Sequence, residues 1–227
     1  MNELYDRVVS HAAQGSVLRR LLPQDRAGFV EMNRDASVRK YFPGLLTPDE
    51  SVGEIVRIEQ NWQTHGFGPW SVDVRGEFAG ILGLKWVSLD VPFAPAVELL
   101  YRLIPRFWDQ GLATEGSLAA LEFGFCELRL DTLVAFAVEA NTRSRRVMEK
   151  VGMVYRSGFD HPSIPETSPL RRHVLYTMKR ADWHQRPFTN SDRGVTIGRS
   201  MQNRSSTRPT APVSSFDDVR QVQDWYS

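Results

Sequence analysis

The sequence predicts an α+β domain in which strand and helix signals interleave, and three observations predict it. Two alternating apolar runs (Trp70, Val72, Val74, then Phe78 to Trp86) flank an Arg75-Gly76-Glu77 turn, the pattern of a hairpin. From Thr114 the apolar spacing changes to Leu118, Leu121, Phe125 and Leu128, which is helical. Leu133 to Val138 is apolar on both faces, as expected for a strand covered on both sides.

The elements follow in order. Val17 to Leu22 reads as a short strand, and Pro23 with Asp25 opens a helix through Met32. Thr47-Pro48-Asp49-Glu50 joins an N-cap, a Pro at the first helical position and first-turn acids. That start launches a second helix carrying Val52, Ile55, Val56 and Glu59 toward Trp62. After the hairpin, Ala96 to Ile104 is an apolar strand interrupted by one acid, Glu98. Asn141 caps a helix that ends at Gly152, and Met153 to Ser157 and His173 to Lys179 are the last strands. The predicted order is β-α-α-β-β-β-α-β-α-β-β over residues 15–184, after an extension at 1–14.

Composition bounds the function classes. The 227 residues are 41% hydrophobic, 24% charged and 11% aromatic, enough apolar material for one sizeable core. With 28 Lys and Arg against 27 Asp and Glu, the formal charge of +1 argues against nucleic acid or an anionic membrane as partner. No run of eighteen apolar residues is present, and Met1 to Gln14 has no apolar stretch of the signal-peptide kind. A single cysteine, Cys126, forms neither an internal disulfide nor a zinc cage, so no metal is expected. A cytoplasmic protein is the expectation. Residues 185–227 hold no Lys and no Glu but many Ser, Thr, Arg and Pro, and read as a flexible tail. Phe216 to Tyr226 has the spacing of a short docking helix.

Two segments carry chemistry. Trp108-Asp109-Gln110-Gly111-Leu112-Ala113-Thr114-Glu115 links a strand to a helix start, with Gly111 free to turn the backbone. N–H groups from Gln110 to Thr114 then suit a phosphate or pyrophosphate, or else the segment is a plain strand-to-helix turn. In Asn141 to Met153, Asn141 and Ser144 fall at the carboxyl end of an apolar strand, where ligands of α/β sheets gather. The alternative there is an Asn cap with a surface Ser.

Together these segments resemble the GCN5-related N-acetyltransferase (GNAT) superfamily, in its RimJ/RimL-like branch. The signature Q/R-x-x-G-x-G/A falls on Trp108 to Ala113, with Gly111 and Ala113 matching. Trp108 replaces the Q/R, as in the branch pattern W-G-x-G-x-A-T-E-A. Ala96 to Tyr101 is similar to the branch's A-E-I-G-Y strand. Asn141 to Met153 is similar to N-x-x-S-x-x-V-x-E-K-x-G-F, with Met153 for Phe.

The resemblance implies acetyl transfer from acetyl-CoA to an amine, in a fold whose mixed central sheet splays between strands 4 and 5, flanked by helices. Pantetheine would lie in that splay, pairing with backbone near Leu103 and Ile104 and with Asn141. The pyrophosphate would sit on Gln110, Gly111, Leu112, Ala113 and Thr114. Glu98, the lone acid of its strand, is the candidate base; the alternative is a carboxylate paired to Arg102 on the same strand. Many members carry a Tyr acid where this sequence has Met148, so Ser144 takes the thiol-side role. His161, Glu166 and His173 bracket or lie in a Pro-stiffened loop that overhangs the acceptor site in this architecture, with structural histidines as the alternative. Trp62, Trp70, Trp86 and Cys126 read as core. The implied acceptor is a protein N-terminus; alternatives are a small-molecule amine, or a non-catalytic acetyl-CoA-binding protein whose tail takes partners. A homodimer is common in the family.

Overall fold

The structure is a computed structural model and describes residues 7–10, 16–185 and 195–196. In chain order the strands are β1 (Arg7–Ser10), β2 (Ser16–Arg19), β3 (Pro69–Val74), β4 (Glu77–Trp86), β5 (Val97–Leu103), β6 (Thr132–Val138), β7 (Val154–Asp160), β8 (Arg172–Lys179) and β9 (Val195–Thr196). The α-helices are α1 (Arg26–Arg34), α2 (Pro48–His65), α3 (Leu112–Glu122), α4 (Thr142–Lys150) and α5 (Arg180–Gln185). Among the described residues the strands lie in the order β7-β8-β6-β5-β4-β3-β2-β1-β9. Neighbours are antiparallel except β5 and β6, which are parallel and meet at Glu98↔Val134. The seven strands β2 to β8 form the mixed sheet expected from the sequence.

Local chemistry explains the helix boundaries. Thr47 Oγ1 accepts from Glu50 N at 3.2 Å while Thr47 N donates to Glu50 Oε2 at 2.7 Å, a capping box that starts α2. Pro23 opens a 3₁₀ turn, Pro23–Asp25, ahead of α1. Helices α1 and α2 cover one sheet face; α3 and α4 cover the other. Helix α3 approaches closely because Gly116 has no Cβ: an added one would stand 2.7 Å from Leu82 Cδ1 on β4.

The core joins these layers. Trp70, fully buried, stacks edge-on against Phe123 at 5.2 Å and Trp62 at 5.6 Å between ring centroids. Trp62 and Trp70 are core as expected, whereas Trp86 is half-buried at its margin beside Phe67 and His65. Cys126 is exposed, contrary to the core reading. After α3 the chain runs through a π-helical turn, Phe123–Glu127, closed by Leu128 N on Phe123 O; its extra residue per turn leaves Phe123 and Phe125 inward and Cys126 outward.

Three short elements were not anticipated. Helix α5 follows β8 directly and buries Trp183 against Phe125 at 5.8 Å. Strand β1 lies in the N-terminal extension and pairs with β2 at Arg7↔Arg19 and Val8↔Leu18. Strand β9 pairs with β1 at Val9↔Thr196 and Ser10↔Val195, so two residues within the segment read as a tail are strand. Runs this short hold too few residues to show a periodicity. Phe216 to Tyr226 lies outside the described residues. Among the described residues no helix is long and apolar enough to cross a membrane.

Candidate active site

Strand β5 pairs with β4 from Val97 to Leu103 but meets β6 at one ladder position, Glu98↔Val134. Beyond it the parallel strands part. Val87 N bonds Ala96 O, and Ile104 N bonds Ala79 O at 2.9 Å. By antiparallel alternation, the peptide groups of Leu99, Tyr101 and Leu103 therefore face the opening toward β6. Leu103 O there accepts from Trp108 Nε1 at 2.7 Å. Ile104 does not face the opening: its N–H is taken by Ala79, and its C=O accepts from Phe107 N.

At the top of the opening, Gly111 is the N-cap of α3 with φ +84°, a backbone shape that side chains disfavour. The first bond of that turn runs from Glu115 N to Gly111 O at 3.0 Å. Leu112, Ala113 and Thr114 thus present N–H groups that no helical carbonyl can reach. Gln110 turns its side-chain amide back onto Arg106 O at 2.7 Å, leaving its backbone to the cradle. Helix α4 starts alongside. Asn141 Oδ1 accepts from Ser144 N at 3.2 Å, while Arg143 lies 4.8 Å over the Trp108 ring and 3.3 Å from Asp109 Oδ2. This cradle and the parted strands fit a phosphorylated, extended cofactor of the CoA type.

Side-chain alternation along β5 sends Glu98 and Arg102 to one face and Tyr101 to the other. On the first face Arg102 bonds Asn33 Oδ1 on α1 at 2.8 Å and Glu54 Oε1 on α2 at 2.5 Å. Arg102 is therefore not the partner of Glu98. Lys85, opposite on β4, holds that place with Nζ 3.3 Å from Glu98 Oε2. Burial pushes the Glu98 carboxyl above its ordinary range, and Lys85 pulls it partly back.

The register Val138↔His173 puts His173 on the Glu98 face, its ring 5.0 Å from that of His161. His161 is fully buried; burial, then His173 and Lys85, pull its pKa down to about 4. His173 is also lowered by burial, although its Nδ1 lies 3.1 Å from Arg171 O. Both rings are neutral near pH 7. Glu166 stands apart, 88% exposed and 3.8 Å from Arg171. The structure thus links Glu98 and His161 through Lys85, sets His173 against His161, and leaves Glu166 out. Tyr41 closes the region from α1–α2, its hydroxyl donating to Ala140 O at 3.1 Å.

On the second face the Tyr101 hydroxyl donates to Ser144 O at 2.8 Å and lies 3.0 Å from Ser144 Oγ. Met148, at the position where many family members carry a Tyr, is 2% exposed in the core. Lys85 and Tyr101 are the polar residues that sequence reasoning missed. Each was visible as a polar break in an apolar strand, but its partner is apparent only once strands and helices are packed. Among the described residues no His, Cys, Asp and Glu cluster is placed to hold a metal ion.

Comparison with known proteins agrees with this fold. The family model described as "Acetyltransferase (GNAT) domain" matches residues 16–154. FsC-acetyl coenzyme A-N(2)-transacetylase of Aspergillus fumigatus is 30% identical over 167 residues, 68% of this chain and 69% of that protein. Mycobacterium smegmatis RimJ, solved with CoA-disulfide, superimposes with a TM-score of 0.63 at 19% identity, over 80% of this chain and 91% of that one. Spermidine N-acetyltransferase from Vibrio cholerae, solved with CoA and spermine, gives 0.61 at 13% identity, over 77% of this chain and 100% of that one. These two solved structures carry the fold alone, and the family follows from the match over residues 16–154: the chain belongs to the GNAT acetyltransferases and is an N-acetyltransferase that uses acetyl-CoA.

Proposed function

We propose that the chain acetylates a primary amine of the protein N-terminal kind, as a RimJ/RimL-like enzyme, by direct attack within a ternary complex. The observation that supports this acceptor is charge matching on the Glu98 face. The buried Glu98 is already paired with Lys85, and the part-buried Glu54 with Arg102. A polycationic amine would find no uncompensated anion among these groups, whereas an acceptor with a single amine needs none.

Acetyl-CoA, when bound, supplies the activated thioester carbonyl. The N–H groups of Leu112, Ala113 and Thr114, with Gly111 making room, would hold its pyrophosphate. The peptide groups of Tyr101 and Leu103 would pair with pantetheine as a strand does, in place of Ile104. Asn141 spends Oδ1 on its cap and has its Nδ2 donors left for the same task. Glu98 takes the proton that the attacking amine loses. Ser144 donates a hydrogen bond to the departing sulfur.

A thiol-release assay over peptides of varied N-terminal residue, spermidine and small monoamines tests this reading. Turnover with peptides, and little with spermidine, is expected. Turnover confined to spermidine or to small amines overturns the acceptor, and none with any amine overturns catalysis of this kind.

A further inference from the structure

We infer that Tyr101 is a positioning residue for Ser144, and that the two hydroxyls act together on the leaving sulfur. The inference rests on the reading above, in which the thioester lies beside Ser144. Three observations carry it. Position 148 is a buried methionine, so no hydroxyl comes from that turn of α4. Tyr101 lies on β5 where β6 has already parted, and alternation points it at α4. Its hydroxyl contacts both Ser144 O, at 2.8 Å, and Ser144 Oγ, at 3.0 Å.

Proton placement follows from those two contacts. A phenol has one proton, and here it goes to the Ser144 carbonyl. The Ser144 hydroxyl must then be the donor in the Oγ···Oη contact. When an anionic sulfur develops nearby, Ser144 can turn its proton to that sulfur while Tyr101 swings its own from the carbonyl to Oγ. The chain Tyr101 Oη–H···Ser144 Oγ–H···S then stabilises the charge with neither residue losing a proton, and each bond strengthens the next. Overall, the N–C bond forms and the C–S bond breaks. The proton lost by the amine goes to Glu98 and on to water, and sulfur takes one from water as CoA leaves. Burial keeps the Tyr101 phenol protonated well above its ordinary range, so it remains a donor at every working pH.

The test reads bound CoA itself. The thiol of CoA saturating the protein is titrated by the ultraviolet absorbance of the thiolate in the parent, Tyr101→Phe, Ser144→Ala and the double variant. CoA affinity is measured alongside by calorimetry. Affinity should be nearly constant, and each single change should raise the thiol's midpoint by about one pH unit. The double variant should move it no further than Ser144→Ala alone, because Tyr101 acts through Ser144. Fluorotyrosine at 101, a stronger donor of the same shape, should lower the midpoint below the parent's, and it keeps the test alive if Tyr101→Phe folds poorly. An unmoved midpoint in Tyr101→Phe with Ser144→Ala shifted, or additive shifts, overturns the positioning role. A midpoint that no variant moves overturns the placement of sulfur at Ser144, and this inference with it.

Discussion

Lys85 and Glu98 face each other across β4 and β5, Nζ 3.3 Å from Oε2, with side chains 17% and 8% exposed. The pair is poised between opposing effects. Burial favours the neutral acid, and the ammonium favours the carboxylate. The same ammonium helps hold His161 neutral. One lysine therefore lowers the proton affinity of both groups, favouring the charged form of Glu98 and the neutral form of His161.

A base that deprotonates an ammonium matters most at low pH, where the acceptor is fully charged. Glu98→Gln should cost about 10²–10⁴-fold in kcat/KM at pH 7, a deficit that shrinks as pH nears the amine's own pKa. Lys85→Met keeps the base and removes its counter-ion, so the Glu98 carboxyl rises. The acidic limb of kcat/KM should then move up by about one pH unit or more. No loss near neutrality in Glu98→Gln would leave Glu98 as a structural partner of Lys85.

The proposed phosphate cradle is separable from backbone strain. Gly111→Ala adds a Cβ at φ +84° and costs about 1 kcal/mol of strain, with no charge. Gly111→Asp adds the same strain plus a carboxylate against the pyrophosphate. Calorimetry should show CoA affinity modestly reduced in the first and nearly abolished in the second. Equal affinities in the two would mean that the phosphates lie elsewhere.

These contrasts show what a sequence exposes and what it hides. Alternation along 70–86 and the capping residues at Thr47 and Asn141 are local, so the hairpin and helix starts were legible. The turn at Gly111 was legible too, because the glycine and the helix it starts are neighbours in sequence. Glu98 stood out as the lone acid in β5, but its partner lies on β4, and register, not sequence distance, selects Lys85 over Arg102. Cys126 was misplaced because a π-helical turn breaks the 3.6-residue period on which a helical face is drawn. Ile104 was assigned to pantetheine one residue past the last peptide group that faces the opening.

Stability should depend on pH through His161. Its folded pKa of about 4 lies below its ordinary 6.5, so between those values the unfolded chain binds more protons. Stability present at pH 7 is lost as pH falls through that window. His161→Gln removes this term, while His173, also lowered, keeps part of the slope. Melting temperatures at pH 7 and pH 5 should differ less in the variant than in the parent, by about 2–4 °C for each kcal/mol removed in a chain of this size. Identical slopes would mean that the His161 ring takes up its proton in the fold as readily as in the unfolded chain.

The network that ties β5 to α1 and α2 makes the last prediction. Arg102 bonds Asn33 and Glu54, and Asn33 Nδ2 also donates to Glu54 Oε2 at 2.9 Å. Arg102 holds the Glu54 carboxyl below its ordinary value against the pull of burial. Arg102→Met strands that carboxylate. Because the Glu54 side chain keeps 16% exposure, the loss at pH 7 should sit near the lower end for broken buried pairs, about 3 kcal/mol. Arg102→Met with Glu54→Leu removes both charges and should recover most of it. The sign with pH separates charge from packing. In the parent, the Glu54 contribution is present above its ordinary pKa of 4.5 and fades as pH falls through the lower folded value. In Arg102→Met the stranded carboxyl takes up a proton more readily than the unfolded chain does, so the variant's deficit should shrink as pH falls toward 5. Denaturant melts at pH 7 and pH 5 decide it: a deficit unchanged between them would assign the loss to the missing arginine's packing on Phe29 and Phe42, not to charge.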